Sequence, residues 1–200
     1  MKQRLLVGLI ATIFHQSVLA DDSVLHRVAI DGSKMSQLGL LDAANAGVIG
    51  KKELASMTTY RPGELLESIP GLIVSQHSGE GKANQFYLRG FNLDHGTDLR
   101  TTLDEMPVNQ RSHAHGQGWT DLNFLIPELT ARMEFKKGPY SSTTGDFSAA
   151  GSAAMLYANR LTQSIASVTL GQNAYRRALL AASPDFADGS LLYALEFTGN

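Results

Sequence analysis

The 200-residue chain has no cysteine. That excludes disulfides, thiolate zinc sites, cysteine nucleophiles and cysteine-held iron–sulfur clusters. Charge is sparse: 17 basic and 19 acidic side chains leave a formal net charge of −2. Such a balance provides no global basic field for nucleic acid or anionic lipid. No apolar run reaches the roughly 20 residues a membrane helix needs. Tryptophan occurs once, at Trp119. Apolar residues make up 43% of the chain and glycine contributes 19 residues. This is a folding composition, rich in turns and short strands and poor in long helices.

The N-terminus has the pattern of a secretory signal. Lys2 and Arg4 precede the apolar run Leu5–Phe14, and Val18-Leu19-Ala20 offers small residues for cleavage. The expected signal peptide is residues 1–20, with the mature chain starting at Asp21. Removal takes away Lys2 and Arg4, so the formal charge falls to −4. Residues 21–44 read as a flexible arm, in which only Val24–Ile30 has strand character.

Residues 45–158 form the expected α+β domain. A short helix is expected over Lys51–Met57. Pro62 suits a first helical turn, and Leu65, Leu66 and Ile69 share one face. Pro70 stops that helix. Leu72–Ser75, Gln85–Arg89, Thr101–Val108 and Arg132–Lys136 read as strands, with a helical turn over Pro127–Ala131. Two polar glycine loops, Ser75–Asn84 and Asn109–Thr120, punctuate them.

After Asn159 the pattern changes. Ile165–Leu170, Arg176–Ala182 and Leu191–Thr198 read as antiparallel strands. In the last, Leu191, Tyr193, Leu195 and Phe197 alternate with Leu192, Ala194, Glu196 and Thr198. This fits the first strands of an outer-membrane barrel, and equally a soluble meander. Three strands with an apolar face leave open edges that lipid does not tolerate. The chain therefore reads as the truncated front of a longer one.

Several motifs fail their tests. Gly79-Glu80-Gly81-Lys82 lacks the Ser/Thr of a P-loop, having Ala83, and has Gln76 where a glycine belongs. Asn84 stands where a dinucleotide fingerprint needs its third glycine. There is no GxSxG elbow and no HExxH. His113-Ala114-His115 is the best metal candidate, because residues two apart on a strand point the same way. Two imidazoles need further ligands, and His95 and Asp121 would have to arrive by folding. The competing reading is a polar loop whose histidines are solvated or touch a ligand directly. Asp94-His95-Gly96-Thr97-Asp98 reads as turn chemistry. Trp119 is either a ligand anchor or an edge-of-core residue.

The ordered motifs resemble the TonB-dependent outer-membrane transporters. The matching pieces are Glu64–Leu72, Gln85–Gly90, Thr102–Val108, Ile126–Glu128 through Glu134–Pro139, and Tyr140–Gly145 followed by Ala149-Ala150-Gly151. The sequence departs from the family at Asp104-Glu105, where Asp-Gly is usual, and at Asp146-Phe147-Ser148. The resemblance implies a plug domain at 45–158 and the first strands of a barrel of about 22 strands at 159–200. It implies a gated transporter of the cell outer membrane rather than an enzyme. Its cargo would be a siderophore, cobalamin, another metal complex or an oligosaccharide. No cofactor is implied. His77, Lys82, Arg111, His113, His115 and Trp119 would face the substrate from the outward loops. The Asp94–Asp98 loop would face the periplasm, keeping His95 away from the other histidines. Arg89, Gly90, Gly138, Pro139 and Gly145 would be structural. Val24, Leu25, His26, Arg27, Val28, Ala29 and Ile30 would pair as an added strand with a TonB-like periplasmic energy transducer. Outer-membrane lipid would meet the barrel. Two other classes compete: a stand-alone plug-like binding or signalling module, and a metal-dependent periplasmic hydrolase built on His113 and His115.

Overall fold

The structure, a computed structural model, describes residues 45–76 and 82–199. The expectations for the signal peptide, for Val24–Ile30 and for His77 lie outside the described residues. Among those residues no helix is long and apolar enough to cross a membrane.

The described residues open with strand β1 (Ala46–Gly50), whose alternate residues are buried, and helix α1 (Lys51–Ala55). Glu53 caps that helix by accepting the Gly50 N–H at 3.2 Å. The expected helix after Pro62 forms as a 3₁₀ segment, Pro62–Ser68. Glu64 accepts the N–H groups of Tyr60 and Arg61 at 2.8 and 3.2 Å, which fixes its entry. Leu65, Leu66 and Ile69 are buried together, as their spacing requires.

Strands β2 (Leu72–Ser75), β3 (Gln85–Leu88) and β4 (Phe91–Asn92) form an antiparallel sheet. The expected strand Thr101–Val108 is instead a hairpin of β5 (Leu99–Leu103) and β6 (Met106–Pro107). Asp104 and Glu105 make the turn with φ of +47° and +68°. Arg89 and Gly90 turn the β3–β4 hairpin in the same way, with φ of +52° and +83°. Two central residues at positive φ match the twist of flanking strands.

The 3₁₀ turn Pro127–Leu129 leads into β7 (Thr130–Lys137), followed by β8 (Gly151–Tyr157). These complete a five-stranded sheet of order β1-β7-β8-β5-β6, mixed because β5 and β8 run parallel. Phe86, Leu88, Leu93, Leu99, Met133 and Met155 fill the space between the sheets and the 3₁₀ segment. Each such side chain contributes about 1.5–3 kcal/mol by leaving water.

The last part is a meander of β9 (Ile165–Leu170), β10 (Arg176–Ala182) and β13 (Tyr193–Gly199), with a two-stranded ribbon of β11 (Asp185–Phe186) and β12 (Gly189–Ser190). Register places Val168, Ala178 and Phe197 side by side, and likewise Ala166, Leu180 and Leu195. This face is open: Val168, Leu195 and Phe197 are exposed. The opposite face carries Ser167, Thr169, Arg177, Leu179, Ala181 and Glu196. Leu129, Leu161 and Ala181 form a small second core beneath it.

Candidate functional site

Two hairpins deliver the site. The Arg89-Gly90 turn sends β4 back along β3, so the Phe86 N–H donates to the Asp94 carbonyl at 2.9 Å. His95 therefore lands beside the end of the Ser75–Asn84 loop. The Asp104-Glu105 turn sends the chain back past β5. Asn109 then sits against Thr101, and the loop after it closes over Gly96 and Thr97.

That loop is pinned at its neck. Gln110 donates to the Trp119 carbonyl at 2.9 Å, and the Gly118 N–H donates to the Gln110 carbonyl at 2.7 Å. Thr120 donates its N–H to the His95 carbonyl at 2.7 Å. Asn109 is the hub. Its Oδ1 accepts the Thr101 N–H at 2.8 Å. Its Nδ2 lies 2.8–3.0 Å from the carbonyls of Gly96, Leu99 and Gly118 and from Thr120 Oγ1. Gly118 has φ of +82°, and a Cβ there would lie 2.9 Å from Thr97 Cα. Only glycine fits this close approach.

Trp119 is 7% exposed and stands in a cage of imidazoles. His113 stacks on it with ring centroids 4.3 Å apart. His95 lies at 4.5 Å and His115 edge-on at 5.0 Å. His95 and His115 meet each other at 4.7 Å. This corrects the expectation that His95 turns away from the other histidines. The β3–β4 hairpin is too short to carry it elsewhere, because Asp94 returns to the strand that the Ser75–Asn84 loop enters.

The ring nitrogens have defined roles. His95 is buried, with Nδ1 2.9 Å from the Ala83 carbonyl and 3.0 Å from that of Asn84. Both oxygens only accept, so Nδ1 carries a proton and donates. Nε2 lies 3.6 Å from Asp94 Oδ1. His113 Nδ1 accepts the backbone N–H of His115 at 3.2 Å. His113 thus packs on Trp119 with its Nδ1 already accepting a backbone N–H. Among the described residues, Asp94, His95 and His115 are the three whose ligand atoms come together, all within 4.8 Å of one another.

Lys82 is exposed, and its carbonyl accepts from Asn123 Nδ2 at 3.2 Å. Arg111 is exposed and pairs with Asp146 at 3.2 Å, tying the loop to the segment after Gly145. Arg89 is a turn residue close enough to Lys137 that, after burial itself, its charge helps push the Lys137 ammonium below its ordinary pKa. Gly138 and Gly145 have φ of +110° and +79°, and Pro139 follows the first of them. Sequence reasoning missed Asn109, Thr101 and Thr120. Their one signal was a polar residue flanking each end of the loop.

An ion-pair network joins this body to the meander beside the Leu129–Ala181 apolar contact. Arg177 donates from two guanidinium nitrogens to both Glu128 oxygens, at 2.5 and 2.9 Å, and to Glu196 at 2.7 Å. Burial pushes the Glu128 carboxyl up, but the bonds from Arg177 and the backbone outweigh it, and the carboxyl lies below its usual range.

Comparison with known proteins agrees with this architecture. The family model described as the TonB-dependent receptor plug domain matches residues 41–152. The vitamin B12 transporter BtuB of Vibrio vulnificus (strain CMCP6) is 26% identical over 151 residues, covering 74% of this chain and 24% of its own. The ferric enterobactin receptor of Pseudomonas aeruginosa superposes with a TM-score of 0.58 at 18% identity, over 78% of this chain and 25% of its own. The siderophore receptor PirA of Acinetobacter baumannii gives 0.57 at 20% identity, over 78% and 24%. The copper transporter OprC gives the same values. At these identities the structural likeness is one of fold. The chain spans about a quarter of the length of the relatives it matches. It belongs to the TonB-dependent receptor plug family.

Proposed function

We propose that this chain is the plug and first barrel strands of an outer-membrane active transporter, and that the Trp119 loop is its cargo-contacting surface. The observation that carries the reading is the loop cluster itself: His95, His113 and His115 gathered round a buried Trp119 on a plug fold. Lys82 and His77 would extend that surface, and Arg111 would brace it through Asp146. The cargo is a scarce extracellular ligand of the siderophore, cobalamin, metal-complex or oligosaccharide classes. The imidazoles favour a metal-containing one.

The domain plan follows from the same reading. Residues 1–20 export the chain and 21–44 form the arm. Residues 45–158 are the plug, and 159–200 begin the barrel. The open face of the meander, with Val168, Leu195 and Phe197, would meet lipid. The polar face would meet the plug, where Arg177 holds Glu128. Val24–Ile30 would pair with a TonB-like periplasmic transducer, supplying energy from the inner membrane. A hydrolase built on His113 and His115 is disfavoured, because His113 stacks on Trp119 and accepts the His115 N–H.

The test is whole-cell metal content. The complete gene is expressed in a host lacking its own receptors, with and without the energy transducer. Transducer-dependent accumulation of one metal supports the reading. An outer-membrane protein that raises no metal and no cobalamin or oligosaccharide uptake in either strain contradicts it.

A further inference from the structure

We infer that Asp94, His95 and His115 form a binding site for a divalent transition-metal ion of the zinc or cobalt type, so that the cargo is held through its metal. The inference deepens the transporter reading, on which the word cargo rests.

The geometry is specific. His95 Nδ1 is committed as a donor to the Ala83 and Asn84 carbonyls. Such a bond fixes the ring and leaves Nε2 as the coordinating nitrogen, an arrangement typical of ligating histidines. Nε2 then faces a carboxylate oxygen at 3.6 Å. An imidazole nitrogen and a carboxylate oxygen at this spacing can share one bound cation. A proton alone would serve that pair. The third donor, His115, is what a proton does not need and a metal does. Tetrahedral sites with metal–ligand bonds near 2.0–2.2 Å place neighbouring ligand atoms about 3.4 Å apart. The Asp94–His95 pair is already near that spacing. His115 lies within 4.8 Å of both, on an exposed side chain free to close the gap.

The setting suits capture and release. His95 is rigid and buried, whereas Asp94 is half-exposed and His115 faces solvent. Two nitrogens and one oxygen suit zinc-like ions over magnesium or calcium. Three protein ligands leave a position for water or for a donor atom of a chelate. Trp119 and His113 back the site with aromatic surface.

The experiment is cobalt and zinc titration of the full protein, purified without a histidine tag and stripped with chelator. Visible absorption of Co2+ reports coordination. Expected is one equivalent bound, displaced by Zn2+, with affinity at least tenfold weaker in Asp94→Asn and in His115→Ala. Asp188→Asn, in the exposed turn between β11 and β12 and outside the cluster, should bind within about threefold of wild type, which separates ligation from the loss of any carboxylate. Both ligand variants alter exposed or half-exposed side chains, so they should fold. Absence of stoichiometric binding overturns the inference, as does wild-type affinity in Asp94→Asn and His115→Ala. Transducer-dependent uptake surviving either failure would leave the transporter reading intact and remove the metal site alone.

Discussion

Arg177 and Glu128 face each other with the two terminal guanidinium nitrogens on both carboxylate oxygens, across 49 residues of sequence. Arg177 lies on the polar face of the meander and Glu128 on the 3₁₀ turn that enters β7. The bond fastens the two parts by a polar, reversible contact. Glu128→Gln should weaken it by on the order of 1–2 kcal/mol, between the values for exposed and buried pairs. Because the Glu128 carboxyl is lowered in the folded state, its contribution is fully present above the unfolded value near 4.5 and is lost as pH falls through the folded value. The difference in melting temperature between wild type and Glu128→Gln should therefore shrink towards zero in strong acid. A constant difference at all pH values would contradict an ionic contact.

Asn109 should matter more than any loop residue on the surface. Asn109→Asp replaces a donor by a carboxylate set against the carbonyls of Gly96, Leu99 and Gly118. Expected is a loss of about 2–3 kcal/mol from groups left buried and unsatisfied, with a loosened Trp119 loop. Hydrogen exchange of the Thr120 and Gln110 amides reads this directly. Unchanged protection would remove Asn109 from the scaffold.

Much of this architecture was legible in the sequence. Leu72–Ser75 and the alternation over Leu191–Thr198 announce strands by local pattern alone, the second forming from Tyr193 onward. Leu65, Leu66 and Ile69 share a buried face as their spacing dictates. His95 was misplaced because its position depends on two reversals. Asp104-Glu105 carries no glycine to mark the second, so Thr101–Val108 read as one strand. Asn109 looks like any loop asparagine until Thr101, Gly96 and Gly118 come round it. Those partners are set by tertiary return, which no local periodicity records.

Glu105→Gly should stabilise the β5–β6 hairpin. Glu105 has φ of +68°, a region that disfavours side chains by about 1–2 kcal/mol. Glycine relieves this while losing roughly 0.5–1 kcal/mol through the unfolded chain. A small rise in melting temperature is expected. A fall would show that the Glu105 side chain contributes more than its backbone strain.

Leu195→Arg should impair insertion. Leu195 is 68% exposed on the apolar face of β13. On a lipid-facing wall an arginine near the midplane costs about 2–4 kcal/mol. Less protein should reach the outer-membrane fraction, whereas Leu195→Ala should be tolerated. Equal yields of both variants would favour a water-facing meander.

The proposal of an energised transporter is tested most directly by deleting Val24–Ile30 from the complete protein. Cargo binding to whole cells and cargo accumulation inside them are measured in parallel, with the transducer present. Expected is wild-type binding with accumulation abolished. Normal accumulation without that segment would contradict its role as the coupling strand. Loss of binding together with accumulation would contradict the separation of a coupling arm from a cargo-binding plug.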